Sequence, residues 1–184
     1  MRKLAKRFKC NQRGASAIEF ALITPVILLL LAAVVDFGLL VHNRSTLETA
    51  ASSAVSYALA KGQDLKASNA QTYVATIADI ASRQLDADVR VDVILNRTLV
   101  NSRTEAGPTQ GGTSSVANQC HCPTRSAGVI EWGDTIRCNA PCSEGGFAGR
   151  FLTVRASKRY QPLFFEFGLI SKGSIVVETL AGLQ

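Results

Sequence analysis

The strongest pattern in the chain is an apolar run near its beginning. From Phe20 to Val41 the 22 residues read FALITPVILLLLAAVVDFGLLV, with Pro25 near the start and Asp36 near the end. As an α-helix this run would extend about 33 Å, enough to cross the hydrocarbon core of a bilayer. A cleaved signal peptide is the alternative, but the run is too long for one and no small-x-small site with a polar boundary follows it. The pattern therefore predicts a retained transmembrane helix over about 20–41.

Helical periodicity continues beyond this run. Small and apolar residues recur every three or four positions up to Leu59, and Lys61-Gly62 is typical of a helix C-terminus. We therefore expect one helix from about Ala15 to Lys61, on the order of 70 Å long, with a kink at Pro25. The apolar stripe predicts packing against the chain's own folded domain, with contacts between subunits as the alternative. Its members are Leu47, Ala50, Ala51, Ala54, Val55, Ala58 and Leu59.

The remainder predicts an α+β domain. A second helix is expected from Ser68, because Ser68-Asn69-Ala70-Gln71 fits a capping box. Its apolar face would consist of Val74, Ile77, Ala78, Ala81 and Leu85. Valines alternate with charged residues over 89–93, which indicates a half-buried strand, and further strands are expected over Phe151–Tyr160 and Ser174–Leu180. The predicted fold is a long N-terminal transmembrane helix that continues into a small domain with a second helix and about three or four antiparallel strands.

Two segments lack such periodicity. Residues 101–119 contain one sizeable apolar side chain, Val116, and therefore predict a mobile outer loop. The stretch 161–165 (QPLFF) should end the preceding strand and supply aromatic packing. Asp36 is interpreted as marking the outer membrane boundary, with an intramembrane polar contact as the alternative. Three further acids are expected to form a solvated edge and not a cation site: Asp86, Asp88 and Asp92.

The charge of the chain is concentrated at its start. The sequence has 20 Lys plus Arg against 14 Asp plus Glu, a net charge of +6. Six of the bases and none of the acids lie in the first 14 residues, so the rest of the chain is balanced. This distribution argues against a nucleic-acid partner, which would need a basic folded surface. By the positive-inside rule, residues 1–14 are expected in the cytoplasm and everything after about residue 42 outside.

A carboxylate at the mouth of the apolar run needs an explanation. Glu19 would cost a few kcal/mol within hydrocarbon unless it is partnered or lies at the interface. In one interpretation it lies in the first helical turn and is stabilised by the helix dipole. In the other, the chain is cut after Gly14, and Ala15 gains a free ammonium group. Glu19 would then be mature residue five and could pair with the amine of a neighbouring subunit when apolar helices bundle.

These residues resemble a known family. The run 13–22, RGASAIEFAL, followed by Pro25 and a leucine-rich stretch, is similar to TadE-like pilus assembly proteins. Those are minor pilins or pseudopilins of the tight-adherence (Flp) branch of type IV pilus systems. The resemblance implies cleavage after Gly14 by a membrane prepilin peptidase, with Ala15 as the new N-terminus and Glu19 and Phe20 as the processing and assembly pair. Phe20 departs from the Tyr commoner in the major pilin, which favours a minor component.

The resemblance also implies an organisation and a location. Residues 1–14 would be a basic leader, 15–62 the long helix, and 63–184 a pilin-like α+β domain on the periplasmic side of a bacterial inner membrane. The mature subunit would pack through its helix, including Pro25, against other pilins or pseudopilins. Its partners would be these subunits, inner-membrane pilus assembly proteins, the prepilin peptidase and membrane lipid. The subunit could stay in the membrane or enter a surface pilus that functions in cell adhesion.

Four cysteines form the densest chemical cluster of the outer domain. Cys120 and Cys122 flank His121, and Cys138 and Cys142 follow after a gap. Four thiolates could hold zinc, but a C-x-C spacing is poor for that metal, and an oxidising compartment favours two disulfides. Crossing pairs between 120/122 and 138/142 are expected, with either connectivity open. The bridges would clamp loop 101–149, and the fifth cysteine, Cys10, would leave with the leader.

Together the patterns predict a non-enzymatic minor pilin or pseudopilin. No Cys-x-x-Cys motif and no phosphate-binding loop occur, so no metal, cofactor or small-molecule substrate is expected. The alternative is a membrane-anchored binding module in which the helix is only a tether. An exported thiol oxidoreductase is a third and weaker hypothesis, which requires reactive thiols in the cysteine cluster.

Overall fold

The computed structural model describes residues 15–126, 129–164 and 173–183. The predicted leader, including Gly14 and Cys10, lies outside these residues, as does Phe165. The chain divides into two compact units. One, here called the helical unit, comprises Met1–Val41 and Pro162–Phe167, and the other, the sheet unit, comprises His42–Gln161 and Gly168–Gln184. We describe each unit by itself.

The first helix has the predicted bounds. Helix α1 covers Ala15–Lys61, contains Pro25, and is followed by a 3₁₀ turn over Gly62–Asp64. Proline cannot donate a main-chain hydrogen bond, so the turn around it needs other contacts. Next to it, the hydroxyl of Thr24 donates to the carbonyl oxygen of Phe20 at 2.6 Å. The helix is continuous through Pro25.

The small-residue stripe of α1 packs within the sheet unit. Five of its members are at most 1 % exposed: Leu47, Ala50, Ala51, Ala54 and Ala58. Val55 is half-buried, and Leu59, at the edge of the stripe, is 52 % exposed. The buried Tyr73 hydroxyl donates to the carbonyl oxygen of Ala58 at 2.6 Å. The expectation of packing against the chain's own domain is confirmed.

Helix α2 begins later than predicted. It covers Ala70–Ser82 and buries Val74, Ile77, Ala78 and Ala81, as expected, while Leu85 lies beyond its end. The capping-box prediction is wrong, because no side chain caps the helix. Asn69 instead accepts a bond from the main-chain nitrogen of Lys66 and donates one to the carbonyl oxygen of Asp64, each at 2.8 Å. Its amide stabilises the preceding turn and is no longer free to cap.

The sheet unit is α+β, as predicted, with more strands than expected. In chain order the strands are β1 (Arg90–Leu95), β2 (Leu99–Thr104), β3 (Gly107–Gly111), β4 (Pro123–Ser126), β5 (Val129–Trp132), β6 (Arg150–Arg159) and β7 (Ser174–Leu183). Five of them form an antiparallel sheet in the order β3-β2-β1-β6-β7, and β4 and β5 form a separate two-stranded antiparallel sheet. The alternating residues predicted for the buried face of β6, Leu152, Val154 and Ala156, are all 0 % exposed.

The prediction of a mobile loop over 101–119 is wrong. Most of this segment forms β2, β3 and a 3₁₀ helix over Ser114–Asn118. Its polar side chains bond to one another and to α2. The Arg103 guanidinium donates to Asn101 at 2.8 Å and to Asp79 on α2 at 2.7 Å. Asn101 is fully buried, with its Oδ1 in this network and its Nδ2 without a hydrogen-bond partner among the described residues. Hydrophobicity alone therefore could not identify the strand.

Buried Asn96 connects three parts of the sheet unit. It lies in the turn between β1 and β2 with φ of 44° and is 2 % exposed. Its Nδ2 donates to the carbonyl oxygens of Val116 and Gln119 at 2.6 and 2.7 Å. Its Oδ1 accepts from the main-chain nitrogen of Phe151 on β6 at 2.8 Å. Asn96 therefore anchors the 3₁₀ helix over Ser114–Asn118, which the sequence pattern predicts to be part of a mobile loop.

Candidate functional site: the apolar helix and the disulfide-clamped segment

The apolar part of α1 is uncovered within the described chain. It is long and apolar enough to cross a membrane, and none of its most apolar 18-residue window is buried. Leu40 is half-buried, and the exposed fractions of the other large apolar side chains lie between 39 % and 71 %. They are Ile18, Phe20, Leu22, Ile23, Val26, Ile27, Leu28, Leu29, Leu30, Leu31, Val34, Val35, Phe37, Leu39 and Val41. Such a surface is stable in hydrocarbon or against other apolar helices, which fits a single-pass membrane protein.

The predicted processing and assembly residues lie at the start of this helix. Ala15 is its first residue and Glu19 its fifth, so Glu19 lies one turn inside the helix. The interpretation that Glu19 belongs to the first turn is therefore wrong, and the dipole stabilises it less because that effect decays within one turn. Glu19 and Phe20 are both exposed, and in the part of the chain that is described Glu19 makes no hydrogen bond or ion pair. Its carboxylate is available to a group from another chain.

Asp36 is the one buried side chain of the helical unit's described part. It is 1 % exposed. Its Oδ1 accepts from the main-chain nitrogen of Leu163 at 2.9 Å, and its Oδ2 accepts from that of Phe164 at 2.8 Å. Interpreting Asp36 only as a boundary marker is therefore insufficient, because both oxygens bind a distant segment of the chain. The predicted aromatic packing is also wrong for Phe164, since it is 61 % exposed and the turn is held through its main chain.

The four outer cysteines form two disulfides. Cys120 is joined to Cys138 and Cys122 to Cys142, with sequence separations of 18 and 20 residues. Since all four sulfurs are in disulfides, they do not act as thiolate ligands for zinc in this form. Among the described residues, no group of three or more histidine, cysteine or acidic side chains could hold a metal. The two bridges link residues 120–122 to residues 138–142.

His121, between the first two cysteines, has structural contacts. Its main chain exchanges two hydrogen bonds with Gly149, at 2.9 and 3.1 Å. Its Nδ1 lies 3.0 Å from the carbonyl oxygen of Gly133. Its ring meets Trp132 edge-on with centroids 6.2 Å apart, and Trp132 in turn meets Phe151 at 5.6 Å. These contacts pack the clamped segment against β6.

The acidic edge near β1 is ion-paired. The Lys158 ammonium lies 2.7 Å from Asp86 and 3.8 Å from Asp88, and Arg90 lies 2.9 Å from Asp92. The hydrogen bond from Lys158 lowers the pKa of Asp86, and the same bond raises the pKa of Lys158. The carboxylates therefore neutralise bases of the same sheet.

The structural roles of Asn96 and Arg150 were not predicted from the sequence. Arg150 donates to the carbonyl oxygens of Gly62 and Leu65, at 3.2 and 2.9 Å, and so satisfies groups just beyond the end of α1. These residues are distant in sequence, so no local pattern could join them. For Asn96 a weak signal exists, because Asn tolerates the left-handed conformation that a tight hairpin turn requires.

Comparison with known proteins supports the assignment of the N-terminal segment. The model of a protein family described as TadE-like protein matches residues 14–56. This confirms the resemblance seen in the sequence and covers Glu19, Phe20 and Pro25. No curated protein and no solved structure matches the chain. The match ends within α1, so it does not extend to the sheet of the second unit.

Proposed function

We propose that this chain is a non-enzymatic, membrane-anchored minor pilin or pseudopilin of a tight-adherence pilus machine. The observation that carries the proposal is the coincidence of the family match over 14–56 with an uncovered apolar helix in the same segment. Such a helix can be covered by lipid before assembly and by other pilin helices after it. The disulfides and the ion-paired sheet are consistent with a rigid exported domain.

The proposed mechanism begins with orientation and cleavage. The basic residues of 1–14 keep the N-terminus in the cytoplasm and direct residues after about 42 to the periplasm. A prepilin peptidase then cuts between Gly14 and Ala15. Cleavage removes six positive charges and Cys10, and it creates an ammonium group at the start of α1. The mature chain retains an even four cysteines, all of them in disulfides.

Assembly then depends on Glu19. Its exposed carboxylate, without a partner in the described part of the chain, pairs with the α-ammonium group of a neighbouring subunit. In hydrocarbon, two unpaired charges would each be costly, so bundling is favoured only when they meet. The pairing therefore selects the axial position of one helix against the next.

The first test is the mature N-terminus and the assembly of the full chain. Cells with an active prepilin peptidase should yield a protein that begins at Ala15, as measured by mass spectrometry of the intact subunit. Glu19→Ala should reduce cross-linking to other pilus subunits at least tenfold while leaving the amount of membrane-inserted protein unchanged. The matched control is Glu48→Ala, since Glu48 is an exposed acid on the same helix whose partner, Arg44, lies on that helix at 2.8 Å.

Retention of Met1 in such cells would refute the processing step. Equal cross-linking of the Glu19 and Glu48 variants would refute the assembly step and favour the alternative function, a membrane-anchored binding module with α1 as a tether. An exported thiol oxidoreductase predicts a different result, namely rapid reaction of the native cysteines with thiol reagents at neutral pH. Structural disulfides should react only after reduction or unfolding.

A further inference from the structure

The turn that binds Asp36 is unusual in its main-chain hydrogen bonding. Pro162 has no N–H group, and the next two N–H groups, of Leu163 and Phe164, both donate to the Asp36 carboxylate. Three consecutive residues therefore expose no unpaired main-chain donor. An unpaired N–H costs several kcal/mol in hydrocarbon, which normally excludes turns from it. Because the N–H groups of Leu163 and Phe164 are both paired, they do not oppose burial of this turn in hydrocarbon.

The side chains of the turn are apolar and exposed. Leu163 is 66 % exposed and Phe164 61 % exposed. The following residues, FEFGLI over 165–170, continue this composition with a single acid. In water, two large exposed apolar side chains on a short turn are unfavourable, and their burial in an apolar environment is favourable. The side chains therefore point to an apolar partner.

The depth of Asp36 along α1 indicates what that partner is. Asp36 lies 16 residues after Phe20 and five before Val41. At the helical rise these intervals are about 24 Å and about 7.5 Å, so Asp36 lies inside the apolar run near its C-terminal end. At the same level of the helix, Phe37 and Leu39 are exposed by 53 % and 39 %. The turn therefore extends the lipid-facing surface of the helix.

We propose that the Pro162–Phe164 turn inserts into the leaflet that holds the C-terminal end of the apolar run, with lipid acyl chains around Leu163 and Phe164. Asp36 is the positioning residue, because its two oxygens hold the turn against the helix and its charge is offset by two charge-assisted hydrogen bonds. The chain thus has a second lipid contact, 120 or more residues after the first. The proposal requires membrane insertion of α1, and it is independent of cleavage after Gly14.

Depth-dependent fluorescence quenching tests this insertion. The full chain is placed in vesicles of phosphatidylcholine brominated at the upper acyl chain, and Phe164→Trp adds one tryptophan to the native Trp132. The added emission should be quenched at least twofold. Phe37→Trp on α1 should be quenched similarly and reports insertion of the helix. Phe147→Trp, at a residue of the sheet unit that is 71 % exposed, should remain unquenched.

Each outcome has one meaning. Quenching at position 37 but not at 164 overturns the proposal while leaving the membrane helix intact. No quenching at 37 would show that the helix itself is not inserted, which also contradicts the proposed function. Protection of position 164 from both bromolipid and aqueous acrylamide would show that protein covers the turn, such as a second copy of this chain. That result would also overturn the lipid assignment.

The role of Asp36 is tested in the Phe164→Trp background. Asp36→Asn leaves one acceptor oxygen for two donors, so the quenching at 164 should fall to the level of the Phe147→Trp control. Asp36→Glu keeps both oxygens and should restore at least half of the quenching. Unchanged quenching in the Asn variant would show that the turn enters the bilayer without Asp36. The same Asp36 substitutions in the chain with Trp132 as its one tryptophan should leave the emission unchanged, which verifies that the sheet unit is folded.

Discussion

Replacing Asn96 by alanine is the sharpest test of how the sheet unit orders its polar segment. The substitution removes three side-chain hydrogen bonds, two to the carbonyl oxygens of Val116 and Gln119 and one from the main-chain nitrogen of Phe151. It leaves the carbonyl oxygen of Gln119 and the main-chain N–H of Phe151 without that partner, next to a side chain that was 2 % exposed. The carbonyl oxygen of Val116 keeps its bond from the main-chain nitrogen of Gln119 at 3.0 Å. It also places alanine at a φ of 44°, in the left-handed region.

The magnitude follows from these losses. Each side-chain bond contributes about 1 kcal/mol net, and the left-handed conformation costs a residue with a Cβ about 1–2 kcal/mol. We therefore expect Asn96→Ala to lower the free energy of unfolding by about 4 kcal/mol. Asn96→Gly loses the same bonds without that conformational cost, so it should lower the free energy of unfolding by about 3 kcal/mol. Asn139→Ala is the matched control, because Asn139 has a φ of 62° but is exposed, so we expect a loss of about 1 kcal/mol.

The assay uses the one tryptophan of the chain. Trp132 lies edge-on to Phe151, with ring centroids 5.6 Å apart, so its fluorescence reports the structure around the site. Urea unfolding of the full chain in detergent micelles, with the disulfides intact, gives the free energy for each variant. If Asn96→Ala falls within 1 kcal/mol of Asn139→Ala, the bonds of Asn96 do not hold the segment and the reasoning is wrong.

Two further predictions concern the same unit. Replacing Cys122 and Cys142 together by serine opens a loop with a sequence separation of 20 residues, so the chain-entropy relation predicts a loss of about 3 kcal/mol in the same unfolding assay. Cys10→Ser should cost nothing, and an equally small effect of the double substitution would contradict the prediction. Burial raises the pKa of Tyr73 from 10.0 to about 12. The contribution of the neutral phenol is therefore fully present below pH 10 and is lost as the pH rises towards 12. Tyr73→Phe should cost about 1 kcal/mol at pH 7 for the lost bond to Ala58 and should flatten that alkaline decrease, whereas an unchanged decrease would show that other groups cause it.

Local sequence patterns predicted the helices and strands that depend on interactions between residues close in sequence. The bounds of α1 follow from apolar composition and a Lys61-Gly62 stop. The β1 and β6 strands follow from alternation, because one face of each is buried. The capping box at Ser68 was wrong because the same residue types can bond to a turn as well as to a helix. Strand β2 was missed because ion pairs and amides bury its polar side chains.

The apolar run, the basic leader and the pattern around Glu19 are properties of the sequence by itself, and they suffice to indicate a membrane helix and the TadE-like resemblance. Hydrophobic burial and charge distribution depend on composition and spacing, which is why these features can be read without a fold. The tertiary structure decided which cysteines pair, which polar residues are buried and what Asp36 binds. Those contacts join residues up to 128 positions apart, and only the folded path of the chain determines which groups meet.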